Sequence, residues 1–100
     1  MRAVRLICAA VMRGAPPIKG PISIKLEAIF ARPVSMSRRM RGKPKFVWRT
    51  GRPDADNLAK LVGDALNGIA WIDDAQITMM NIWKHYGDVP ELRVRIEALG

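Results

Sequence analysis

The chain has 100 residues, 49% of them hydrophobic, with a formal net charge of +8 at pH 7 and a pI of about 10.6. The hydrophobic share excludes a disordered chain, and the length sets a single small domain over 1–100 with one modest core. The positive charge points to a polyanionic partner, and the single cysteine, Cys8, excludes an intrachain disulfide and a cysteine-built zinc site.

From the N-terminus, residues 2–13 have the spacing of a helix, with Val4, Ile7, Cys8 and Val11 on one face. Arg5 interrupts the apolar run and no small-x-small cleavage pattern follows, so the segment is not a signal peptide. No stretch reaches the roughly 18 apolar residues of a membrane span, and a soluble cytoplasmic protein with no membrane partner is expected. Gly14 and the Pro16-Pro17 pair stop the helix. "PISIKLEAIFAR" then alternates as a strand, with Ile22, Ile24, Leu26, Ala28 and Phe30 on one face. Residues 33–53, broken by Pro33, Gly42, Pro44, Gly51 and Pro53, read as a long basic loop.

Residues 57–67 form the clearest helix. Leu58, Leu61, Val62, Ala65 and Leu66 make its apolar stripe, Asp56 is the candidate N-cap, and Gly68 follows the C-terminus. Gly63 inside it marks a place of close approach. "QITMMNIWKHY" reads as a strand with apolar residues on both faces. With Met79, Met80, Ile82 and Trp83 spread over both, one face suits the core and the other a dimer interface. "GDVP" is a turn, and "ELRVRIEAL" alternates with Leu92, Val94 and Ile96 inward. The last two strands, joined by that short turn, should run antiparallel. The order predicts an α+β domain: a small, mostly antiparallel or mixed sheet with two helices packed on it.

The charges are segregated. Arg32 to Arg52 holds eight Lys or Arg and no acid, whereas Asp54, Asp56, Asp64, Asp73 and Asp74 supply five of the nine acidic residues within the next stretch. Helical spacing places Asp56, Lys60 and Asp64 on one ridge, with Asp54 at its head. "IAWI" permits a reversal that returns one of Asp73 and Asp74 to that ridge, and the pattern leaves open which. Clustered carboxylates repel and require a compensating cation, and hard oxygens suit Mg²⁺ or Mn²⁺. Such an ion beside a lysine and a basic segment is the equipment for in-line attack at phosphorus. The same string does not make a calcium loop, because Leu58 stands where an oxygen ligand belongs. Ser35 and Ser37 have no adjacent base, and His85 reads as a solvated strand-end residue.

"RPDADNLAKLVGDALNGIAWIDDAQI" resembles the signature of RusA-type Holliday-junction resolvases, crossover-junction endodeoxyribonucleases of bacteria and phages. Its elements are Pro-Asp-x-Asp-Asn-Leu-x-Lys, Asp-Ala-Leu, a short apolar stretch and Asp-Asp-x-Gln-Ile. The upstream "GPISIKLEAIFARP" and the downstream "KHYGDVPELRVRI" extend the resemblance over roughly residues 20–97. It implies magnesium-dependent cleavage of four-way junctions by paired nicks, in DNA recombination and repair, by a homodimer in a bacterial or phage-infected cytoplasm. By motif position it implies that Asp54, Asp56 and Asp74 bind metal, that Lys60 contacts the scissile phosphate or leaving oxygen, and that Asp64 and Asp73 support them.

DNA contacts are expected from Arg38, Arg39, Arg41, Lys43, Lys45, Arg49 and Arg52, with Phe46 and Trp48 stacking on bases or wedging into the junction. Members of that family usually carry a further strand and basic loop ahead of the first helix, and often a histidine just before the motif. Here the chain starts almost at the helix, and Trp48 and Arg49 stand before the motif. A shortened chain that keeps the fold and charge but has weak or no turnover, a DNA-binding remnant, is therefore the second expectation.

Overall fold

The computed structural model describes residues 16–43 and 45–100. The helix expected over 2–13, and Cys8 with it, lie outside them. Strand β1 (Ile22–Ala31) is followed by helix α1 (Val34–Met40) and helix α2 (Ala55–Leu66). A single 3₁₀ turn (Asp74–Gln76), strand β2 (Ile77–Gly87) and strand β3 (Glu91–Ala98) complete the order.

The three strands form a mixed sheet in the order β2-β1-β3, with β1 parallel to β2 and antiparallel to β3. The last two strands do run in opposite directions, but β1 lies between them. The composition of β1 explains why it is central. Ile22, Ile24, Leu26 and Ala28 are buried on one face and Ile29 on the other, whereas β2 and β3 each keep exposed residues for an edge position. The connection from Gly87 to Glu91 spans up to about 13 Å, enough to cross the roughly 9.5 Å of two strand spacings. Gly87 is required there: a Cβ at that position would lie 2.5 Å from Cγ2 of Ile29.

One sheet face carries the core. Leu58, Val62 and Leu66 of α2, spaced by four, pack with Ile22, Ile24, Leu26, Leu92 and Val94, and Trp71 is fully buried among them. Leu61 and Ala65, counted in the expected stripe, face solvent instead. Helix α2 begins two residues earlier than the spacing predicts, with Asp54 rather than Asp56 as N-cap. Gly68, at φ 80°, turns the chain out of the helix as expected.

The stretch expected as a structureless loop contains α1. No residue of that helix is buried, and its last turn carries Arg38 and Arg39. After Lys43 the chain returns to the sheet and lies along the outer edge of β2. Arg49 N–H donates to the Lys84 carbonyl at 2.9 Å, and Tyr86 N–H to the Val47 carbonyl at 3.0 Å. That pairing covers one end of the β2 edge.

Candidate active site

Helix α2 presents two kinds of residue. Its core side is the Leu58-Val62-Leu66 stripe. Its solvent side carries Asp56, Lys60 and Asp64 at successive four-residue steps, all exposed, with exposed Asp54 just before the first turn. Asp54 is extended (φ −69°, ψ 157°), and its carboxylate caps no backbone N–H. Among the described residues, Asp54, Asp56, Lys60 and Asp64 engage no side-chain hydrogen bond or ion pair. Three free carboxylates, Asp54, Asp56 and Asp64, and the free ammonium of Lys60 thus stand along the solvent side of α2 and its N-terminus.

The Asp73-Asp74 pair divides its work. Asp73 caps the 3₁₀ turn: its Oδ1 accepts from Ala75 N–H at 3.2 Å, while Gln76 Oε1 accepts from Asp73 N–H at 2.8 Å. Gln76 also donates to the carbonyls of Ile18 and Gly20, which ties the turn to the chain entering β1. Asp74 is the member that returns to α2. Its carboxylate lies against Gly63, where a Cβ would stand 3.5 Å from Oδ2, an ordinary contact. Its Oδ1 accepts from the indole N–H of buried Trp71 at 2.8 Å. A buried donor fixing one carboxylate oxygen, with the other left for a ligand, is how metal-binding carboxylates are commonly oriented.

The reversal therefore brings Asp74 to the helix, but to its third turn rather than to the Asp54/Asp56 end. Gly63 is seven residues after Asp56, about 20° away around the axis and roughly 10.5 Å along it. Asp56, Lys60 and Asp74 lie along one strip, with Lys60 between the two acids. Among the described residues, no three His, Cys, Asp or Glu side chains are grouped closely enough to hold a metal ion. The donor set fits a hard divalent ion in chemistry and exposure, but its three oxygens are not preassembled.

The basic segment also divides. Arg38, Arg39, Arg41, Lys43, Lys45 and Arg52 are exposed. Arg49, expected among the DNA contacts, is turned inward. Its guanidinium lies 4.3 Å from the centroid of the Phe30 ring and donates to the Arg52 carbonyl at 3.0 Å. Phe46 and Trp48 pack edge to face at 4.6 Å, Phe46 stacks on His85 at 4.8 Å, and both stay more than half exposed. They are anchored on β2 and still present aromatic surface. His85 is not a free strand-end residue, since its Nε2 is 2.6 Å from Glu27 Oε2.

On the sheet face away from α2, Phe46 covers the His85 end, where Ile29 is buried, and the other end carries exposed side chains. Met79 and Trp83 project from it, and Lys25, Glu27, Trp83, Arg93 and Arg95 line a shallow groove of about 510 Å³. Arg93 is held above the ordinary arginine pKa, chiefly by its hydrogen bond to Glu91, with Glu27 also contributing. Met80 and Ile82 point the other way and pack against the core, as the two apolar faces of this strand predict. Among the described residues no helix is long and apolar enough to cross a membrane.

Comparison with known proteins agrees with the motif. A protein from Bacillus subtilis (strain 168), described as uncharacterized protein YqaN, is 34% identical over 86 residues. The match covers 82% of this chain and 61% of that protein, so the chain spans about six tenths of its relative's length. No solved structure matches. The model of the family described as endodeoxyribonuclease RusA matches residues 1–97, further toward the N-terminus than the motifs alone reach. With that coverage, and with the aspartates and lysine of the motif on one helix and the turn that folds back on it, the chain belongs to the RusA endodeoxyribonuclease family.

Proposed function

We propose that this protein is a divalent-metal-dependent endonuclease that resolves four-way DNA junctions by symmetric paired nicks, acting as a homodimer in recombination and repair. The observation that carries the reading is the strip on α2. Unpaired Asp56, unpaired Lys60 and the Trp71-oriented Asp74 follow one another along the helix, with unpaired Asp54 just before its first turn, in a chain of this family. Asp54, Asp56 and Asp74 would hold Mg²⁺ or Mn²⁺, which supplies charge neutralisation at a phosphate and an activated water. Lys60, between the acids, would contact the scissile phosphate or the departing oxygen, whose negative charge grows as the bond breaks. Asp64 extends the ridge, and Asp73 fixes the turn that carries Asp74. The exposed cations from Arg38 to Arg52 would neutralise flanking phosphates. A two-fold dimer presents two equal sites to a symmetric junction, and exposed Met79 and Trp83 offer apolar surface suited to that contact.

The second reading is a DNA-binding protein of the same fold without turnover. The absence of a ready three-carboxylate group among the described residues favours it. A synthetic four-way junction separates the two. The nuclease reading expects paired nicks with Mg²⁺ from the wild type, none from Asp56→Asn or Asp74→Asn, and junction binding kept in both variants. Binding without cutting at any Mg²⁺ or Mn²⁺ concentration would instead establish the non-catalytic reading.

A further inference from the structure

The carboxylates at the head of α2 hang from Gly51–Pro53, a bent stretch that belongs to no helix or strand. Side chains that follow such a stretch keep their place only if something holds its backbone. Two cations from outside it do so. Lys84 stands in β2 opposite Ala28 of β1, in register with the core-facing residues. Its ammonium donates to the Gly51 carbonyl and to the Pro53 carbonyl, each at 2.8 Å. Arg49 takes the carbonyl between them, donating to Arg52 from both Nε and Nη2. Arg49 is itself held over Phe30 and reaches the Tyr86 hydroxyl at 3.5 Å. The next carbonyl, that of Asp54, receives the first helical hydrogen bond, from Leu58 N–H at 3.1 Å. Four consecutive carbonyls are therefore bound, three of them by positive charge.

This use of a lysine is unusual. A long ammonium side chain on a sheet commonly reaches solvent or a carboxylate. Lys84 has no carboxylate partner among the described residues, and its ammonium binds the two backbone oxygens flanking Arg52. A charged donor shared by two carbonyls fixes their spacing and hence the direction in which the chain enters α2. Asp54 follows the second of those carbonyls directly, and Asp56 lies two residues further on.

We propose that Lys84 is a positioning residue for the Asp54/Asp56 turn, with Arg49 as its second anchor: by clamping Gly51 and Pro53 to β2 it sets where the two carboxylates stand relative to Lys60 and Asp74. What the turn is for rests on the function proposed above; the clamp itself does not.

The full chain carrying Lys84→Met keeps the apolar stem and deletes the ammonium, and Lys84→Arg returns a charged donor. Backbone ¹⁵N relaxation, without metal, should show order parameters across Gly51–Asp56 falling from about 0.85 toward 0.6 in Lys84→Met while β1 and β3 stay rigid. Lys84→Arg should restore most of the loss. Junction cleavage at limiting Mg²⁺ should drop by about 10- to 100-fold in Lys84→Met, with junction binding in chelator unchanged. A variant that loosened the whole domain would move the β1 and β3 amides as well, and that outcome would overturn a positioning role. Wild-type order across Gly51–Asp56 in Lys84→Met would also overturn it. Should Lys84→Met not fold, Lys84→Gln carries the same expectations. If the wild type itself neither cuts nor binds Mn²⁺, the functional reading fails, and the relaxation data still decide the clamp.

Discussion

Trp71 has no solvent exposure, yet its indole N–H points out of the core to Asp74 at 2.8 Å. The ring is held by packing, so it fixes the carboxylate more firmly than a surface donor would. Trp71→Phe keeps an aromatic ring but removes the donor and part of the indole's packed volume. It should cost about 1.5–3 kcal/mol in urea unfolding for the lost hydrogen bond to a charged group, plus about 1 kcal/mol for the cavity. The Mg²⁺ concentration for half-maximal cleavage should rise about 10- to 100-fold. An unchanged Mg²⁺ requirement would remove Trp71 from any part in holding the ligand. The motif string made Asp54, Asp56, Lys60 and Asp74 legible because all of them fall within one short stretch. Lys84 and Arg49 were not legible as anchors. A lysine on a strand and an arginine in a basic segment look like solvated charges until the fold brings their donors to the carbonyls of Gly51, Arg52 and Pro53.

Among the elements, β1, α2 and β3 could be read in advance because each has one strong period: alternation in Ile22–Ala31 and Glu91–Ala98, and a four-residue stripe in Ala55–Leu66. Helix α1 could not. Its VSMSRRM sequence has no apolar stripe, and nothing in it is buried. Strand order was likewise out of reach, since hydrophobic alternation says which face of a strand is buried and not which strand lies beside it. The β2-β1-β3 order has a local consequence at Gly87, whose absent side chain makes room for Ile29. Gly87→Ala should destabilise by about 1–3 kcal/mol. In an Ile29→Ala background the same change should cost markedly less, because the methyl it meets is gone. Equal costs in the two backgrounds, measured by chemical denaturation, would mean that β2 does not approach β1 in this register.

Six exposed cations of the Arg38–Arg52 segment remain available once Arg49 is assigned to the fold. If all six met phosphates of duplex arms, the logarithm of the junction binding constant would fall against the logarithm of salt with a slope near −5, about −0.9 per phosphate. Replacing Arg39 and Arg41 with glutamine should make that slope shallower by roughly two, while Arg49→Gln should lower stability instead. A slope that does not respond to Arg39 and Arg41 would place the DNA elsewhere on the protein. The proposed function requires something narrower than DNA binding: that carboxylates on two separate segments, Asp54 and Asp56 before and within α2 and Asp74 after it, hold one divalent ion. Anomalous diffraction from crystals grown with Mn²⁺ tests this most directly. The account predicts a manganese peak bound by oxygens of Asp54, Asp56 and Asp74 beside Lys60. A peak that omits Asp74, or none at saturating Mn²⁺, would contradict it.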